Sequence, residues 1–282
     1  MSQPDVSPAW ASTALGDLLC GPLQCTVVRA STRSASYLSV PGSAATPSAM
    51  ALLSEEAVRL PIGVVLATGE LPDSGVTVRI GEGMIATGGH IWRIVRWWDP
   101  RPQVRVDALV AHGSELLELL MAQATSSYGL PLARALAVAR ALANGDAGPA
   151  LEVIGLGPGL TPAGDDVVAG ALAVLALTGR LDERAREAII TCASTRTTTL
   201  SAALVAAAGQ GQVIPQAASL LSALAAGTTS EKLRSAANPL FAVGATSGHD
   251  LCSGMAGALA AAAFKTAPEL DSELAIATWR PI

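Results

Sequence analysis

Aromatic rings and lysines are scarce in this sequence, and both shortages narrow what it can do. Only 3% of its 282 residues are aromatic although 50% are hydrophobic. Alanine, valine and leucine must therefore build the core, which favours closely packed helices over bulky rings. The only lysines are Lys232 and Lys265, and the net charge is −5 with no basic patch. Counterion-driven binding to nucleic acid needs clustered Lys and Arg, so that class of function is set aside. The longest apolar runs, 167–177 and 255–264, are shorter than the ~20 residues of a bilayer span, and glycine interrupts them. No basic segment precedes an apolar stretch near the N-terminus, as a signal peptide requires. Cys20, Cys25, Cys192 and Cys252 form no CxxC pair, so free thiols in a reducing compartment are expected and a zinc site is not. These absences point to a cytoplasmic protein that meets small molecules or other proteins, with no nucleic acid and no membrane.

A chain of this length suits one large domain or two ordinary ones. Residues 1–20 read as a frayed terminus with one short helix. Short β-prone runs follow at 26–28, 37–40, 62–66, 76–80 and 91–95, punctuated by Gly, Pro, Asp and Ser. Residues 50–58 are expected to form a helix inserted in the sheet. His90 reads as a turn or strand residue. Trp97-Trp98-Asp99-Pro100-Arg101-Pro102 marks a boundary, after which leucines recur at helical spacing, with His112 on a solvated helix face. Further helices are expected at 130–142, 181–192 and 214–226, with Gly179 ending the one before 181. Past Phe264 a short strand or helix leads to Trp279. The fold class is α+β: an antiparallel barrel or sandwich over 1–104, then a mainly α-helical domain over 105–282.

Three polar stretches interrupt the helical half. The first is Gly155-Leu156-Gly157-Pro158-Gly159-Leu160-Thr161-Pro162-Ala163-Gly164-Asp165-Asp166. Its glycines at alternate positions permit positive φ and a close approach to backbone N–H groups. Thr161 is expected as N-cap and Pro162 as the first helical residue. A loop and cap account for part of this run, but a cap needs one oxygen and a turn one glycine. N–H groups at a helix start attract anions, whereas two aspartates repel them. The conflict disappears if the ligand carries N–H donors, as a carbamoyl or ureido group does, or if a hard cation such as magnesium lies between carboxylate and phosphate.

The second stretch places Arg196 among hydroxyls with Thr197 and Ser201, expected at a helix start, where its guanidinium fork suits an anion. An N-cap with an exposed Arg is the plain reading. The third contains Thr246, Ser247, Gly248, His249 and Asp250. Its Gly-x-Asp-x-x-x-Gly pattern from Gly248 echoes that from Gly164, so Asp166 and Asp250 are expected to converge. Asp165, Asp166, His249 and Asp250 form the candidate catalytic set. Gly155, Gly157, Gly159, Thr161, Gly164, Arg196, Thr197, Ser201, Thr246, Ser247 and Gly248 form the candidate binding set. All three stretches are expected in one cleft.

The run GLGPGLTPAGDD, continued by VVAGALAVLA, resembles the signature of a bacterial family typified by the AllH subunit of oxamate carbamoyltransferase. Residues 196–201 and 244–250 are similar to further parts of that pattern, which more often has Ser where this chain has Ala163. Ser194-Thr195-Arg196-Thr197 also has the letters of the carbamoyl-phosphate loop of aspartate and ornithine transcarbamoylases, where it opens a helix. The family resemblance implies a subunit of a three-subunit enzyme. That enzyme moves a carbamoyl group between oxalurate and phosphate, giving oxamate and carbamoyl phosphate. The alternative is a non-catalytic subunit that binds a small anion or serves as a scaffold.

Overall fold

The computed structural model describes residues 5–40, 47–67, 70–122 and 129–266. The expectation for Trp279 and the tail beyond 266 lies outside them.

Eight strands close into a barrel: β1 (Asp5–Ser12), β2 (Gln24–Ser31), β3 (Ala35–Ser39), β4 (Ala49–Leu53), β5 (Gly63–Leu66), β6 (Thr77–Gly81), β7 (Met84–Ala86) and β8 (His90–Trp98). Their order around the barrel is β1-β5-β4-β3-β2-β6-β7-β8. Neighbours pair antiparallel except β1 with β8 and β4 with β5, which run parallel. Closure leaves no strand edge unpaired.

Three expectations fail here. The barrel is mixed, not antiparallel throughout, because β1 runs parallel to β8 and β4 to β5. Residues 5–12 are a strand, not a frayed terminus, because the positions that β1 turns inward are Ser7, Ala9 and Ala11 while Val6 is exposed. Its hydropathy therefore hides its period of two. Residues 50–53 belong to a strand, not a helix. Met50 and Leu52 join one core cluster and Ala51 and Leu53 another, so both faces of β4 are covered and no apolar and polar alternation is left to see. A short helix α1 (Gly16–Cys20) does follow β1, and His90 begins β8 with its ring against Trp92.

From residue 106 the chain is helical: α2 (Val106–Ala111), α3 (Gly113–Met121), α4 (Leu132–Ala143), α5 (Gly148–Val153), α6 (Ala163–Leu177), α7 (Glu183–Arg196), α8 (Thr199–Ala208), α9 (Pro215–Ala225), α10 (Ser230–Phe241) and α11 (Ser247–Thr266). His112 sits at the break between α2 and α3, half-buried, with its Nδ1 2.7 Å from Glu115. The polar side of its ring is therefore partly used, unlike that of a freely solvated residue.

The centre is the pair α6 and α11, buried along most of their length. A Cβ on Gly170 of α6 would collide with the Leu251 carbonyl of α11, and a Cβ on Gly254 of α11 with the Val167 carbonyl of α6. Val167 and Leu251 occupy equivalent places in the echo. The two helices thus cross by reciprocal contacts, related by an approximate two-fold. Helix interiors penalise glycine by roughly 1 kcal/mol against alanine, which this approach offsets. Leu200, Ala203 and Ala207 of α8 join the barrel's main hydrophobic cluster, so α8 lies between the sheet and the central pair.

Candidate functional site

The glycine loop before α6 adopts positive φ at Gly155 (81°), Gly157 (121°) and Gly159 (94°), the conformation that alternate glycines make accessible. The helix then starts at Ala163, with Pro162 in the capping position and no side-chain cap. Thr161 is therefore not the N-cap, and Pro162 lies one place earlier than expected. The Thr161 hydroxyl instead meets that of Ser247 at 3.1 Å.

The second stretch also departs from expectation. Helix α7 is capped by Asp182 and runs through Ser194 and Thr195 to Arg196, so Arg196 ends a helix instead of opening one. Its guanidinium donates to the Leu151 carbonyl at 2.8 Å. The last turn of α7 is its preferred place electrostatically, because the C-terminal end of the macrodipole is negative. Thr198, outside the candidate binding set, caps α8 by accepting from the Ser201 N–H at 3.0 Å and ties the glycine loop by donating to the Leu160 carbonyl at 2.6 Å.

The adjacent aspartates have different surroundings. Asp165 is 1% exposed. Its Oδ1 accepts the Gly155 N–H at 2.7 Å, and its Oδ2 accepts the hydroxyls of Ser201, at 2.6 Å, and Thr197. This carboxylate stitches the first two stretches together. Asp250, fully buried on α11, accepts the backbone N–H groups of Gly129 and Leu130 at 3.0–3.1 Å and the Thr246 hydroxyl. Burial is the main cause that raises its pKa, against these hydrogen bonds. Gly164 and Gly248 start their helices flush against the carbonyls of Val153 and Leu240.

Asp166 is the carboxyl left over. Burial chiefly, then the charges of Asp250 and Asp165, push its pKa up to about 8, against the hydroxyls of Ser247 and Thr161. Its buried Oδ2 has no hydrogen-bond partner among the described residues. The three stretches therefore meet: the first and second at Asp165, the first and third at Asp166, Thr161 and Ser247.

Asp166 lines a cavity of about 230 Å³ between barrel and helices. Tyr37, Val58 and Leu60 supply its barrel side; Leu160, Leu200, Leu204, Ile214 and Leu251 are among its apolar helical walls, and Thr161, Gln212, Gly244 and Ser247 complete the polar edge. Among the described residues Asp166 is the only Asp or Glu lining it, and no Lys, Arg or His does. Tyr37 and Gln212 carried no sequence signal, since neither belongs to a motif. Gly129 and Leu130 carried none either, because their N–H groups reach Asp250 only through the tertiary fold. His249 lies apart from the cavity lining, its ring stacked on Phe241 at a centroid distance of 4.3 Å. Its pKa is lowered by burial, against the charge of Asp250. Among the described residues no group of three or more His, Cys, Asp or Glu is arranged to hold a metal ion. No described helix is long and apolar enough to cross a membrane.

Barrel, helices and cleft together define an α+β protein with a cavity between its two halves and acidic loops at the starts of buried helices. Residues 153–259 match the family described as oxamate carbamoyltransferase subunit AllH, and this span contains all three polar stretches. No curated protein and no solved structure matches the chain.

Proposed function

We propose that this chain is a cytoplasmic subunit of a carbamoyltransferase assembly and that the cavity beside Asp166 takes the carbamoyl end of its ligand. The observation that carries this reading is the convergence of three loops of the family-matched segment on a carboxyl pair, of which Asp166 lines the cavity. In this reading the reaction runs between oxalurate and phosphate. A phosphate oxygen attacks the carbamoyl carbon, the bond from that carbon to the oxamate nitrogen breaks, and the nitrogen takes up a proton. A carboxyl whose pKa is raised to about 8 holds a proton at neutral pH. Asp166 is thereby suited to deliver that proton, and to accept it in the reverse direction. Asp165 and Asp250 act as positioning residues: they hold the loops that hold Asp166. Accurate placement of a carbamoyl carbon against phosphate contributes much of the acceleration in such transfers.

A second reading, a non-catalytic ligand-binding subunit, is favoured by the composition of the cavity wall, which among the described residues includes no cation. The assembled enzyme decides between them. With Asp166→Asn, formation of oxamate and carbamoyl phosphate is expected to drop by roughly 100-fold or more, the scale of a lost general acid. The melting temperature of the variant establishes that it folds. Unimpaired turnover in a folded variant assigns the chain to the second reading.

A further inference from the structure

Oxalurate is a carboxylate and phosphate a mono- or dianion, so carbamoyl transfer between them brings two anions together beside Asp166. The charges of Asp165 and Asp250, which already act on Asp166, repel both. Backbone N–H groups and hydroxyls can hydrogen-bond such ligands but carry no net charge, and anions that leave water need a counter-charge. Among the described residues this chain lines the cavity with none. Arg59, between the lining residues Val58 and Leu60, turns its guanidinium over the Trp98 ring at 6.0 Å from the centroid. Arg196 donates to the Leu151 carbonyl. Lys265 stands near the other end of α11, roughly 27 Å along the helix from the lining residue Ser247. Residues 1–4, 41–46, 68–69 and 123–128 contain neither Lys nor Arg.

The rim of the cavity is exposed and uncharged. Leu160 lines the cavity yet is 41% exposed, and Leu156 on the same loop is 40% exposed. A Cβ on Gly159 between them would meet nothing within 4 Å among the described residues. On the third stretch, Gly244, which also lines the cavity, and Ala245 are exposed. No Asp, Glu, Lys or Arg occurs between Glu152 and Asp165 or between Arg234 and Asp250. Depletion of charge around apolar residues is the composition of an interface core.

We infer that the rim formed by residues 156–160 and 244–245 docks a different subunit of the assembly, and that this partner directs an Arg or Lys side chain into the cavity mouth as the counter-charge for the anionic ligands. Charge complementarity identifies the occupant: the wall supplies hydroxyls and a carboxyl, the partner the cation, and the anion site is complete only at the subunit junction. This rests on the cavity being the place of carbamoyl transfer, and it reconciles a wall without cations with a catalytic role.

The test compares the assembled enzyme with the full chain alone. By calorimetry, oxalurate is expected to bind the assembly at least tenfold more tightly than the chain alone. Phenylglyoxal modifies arginines and acetic anhydride lysines; peptide mass spectrometry of the assembly is expected to find an Arg or Lys of another subunit whose modification oxalurate slows at least fivefold. Leu156→Asp and Ala245→Asp are each expected to weaken association at least tenfold, the melting temperature of the chain alone establishing that they fold. The labelling uses unmodified proteins, so a poorly folded variant leaves the test intact. Protection confined to this chain's own residues, Arg280 included, or equal oxalurate binding by the chain alone, would overturn the inference and leave carbamoyl transfer at the cavity standing. Unaltered association of both folded variants would overturn the docking surface. An assembly that neither binds oxalurate nor forms oxamate would overturn the carbamoyltransferase reading and this inference with it.

Discussion

The proton on Asp166 has a thermodynamic signature that needs no ligand. A carboxyl whose pKa rises from 3.8 to about 8 on folding keeps its proton in the native chain at pH values where the unfolded chain has released it. Native protein then binds more protons than unfolded protein, and stability falls as pH rises through that window. The full slope for one such proton is about 1.4 kcal/mol per pH unit. Between pH 5 and pH 7 the ceiling is therefore about 2–3 kcal/mol, and partial solvent screening of a half-buried group brings the expected loss to about 1–2 kcal/mol. Asp250, whose pKa is also raised, adds a slope of the same sign. His249 opposes it, since a histidine held neutral by burial loses stability as pH falls. Comparison with Asp166→Asn cancels both contributions and isolates the group of interest. Urea unfolding of the two proteins at pH 5, 6, 7 and 8 should show the variant gaining on the parent chain as pH rises, with the difference levelling off above pH about 8. A stability difference that stays flat from pH 5 to pH 8 would refute the reasoning, because it would mean that Asp166 ionises as freely when folded as when unfolded.

Asp165 should behave oppositely to its neighbour. Asp165→Ala strands the Gly155 N–H and two hydroxyls in a buried setting, and a loss of about 3–5 kcal/mol is expected from charge-assisted bonds of this kind; an unchanged urea midpoint would contradict the stitching role. At the helix crossing, Gly170→Ala and Gly254→Ala put a methyl group against a carbonyl of the facing helix. Each should lower the melting temperature although helix propensity alone favours alanine by about 1 kcal/mol; a rise would show that the helices do not approach so closely.

The sequence by itself determined the class of fold and the place where the glycine loop passes into a helix, because both follow from local rules. Alternate glycines before a carboxylate pair imply positive φ and a helix start wherever they occur, and they produce both here, at Gly155, Gly157 and Gly159 and at Ala163. Gly179 ends α6 for the same kind of reason. The echo of Gly164-x-Asp166 in Gly248-x-Asp250 was equally legible, and it becomes a reciprocal helix crossing. Elements whose burial contradicts their local pattern were not legible. The strand β4 is apolar on both faces since sheet and helix cover it from two sides, and β1 turns serine and alanine inward. The limits of α7 were not legible either, because Ser194 and Thr195 are cap formers; their hydroxyls instead turn back onto carbonyls of the same helix. The division of labour between Asp165 and Asp166 belongs to tertiary structure alone. Successive helix residues point about 100° apart, so one carboxylate is directed at the donors of the second stretch while the other faces the cavity roofed by Tyr37, Val58 and Leu60. What a side chain meets across a helix surface depends on segments far away in the chain, and those are brought there by packing that no local pattern specifies.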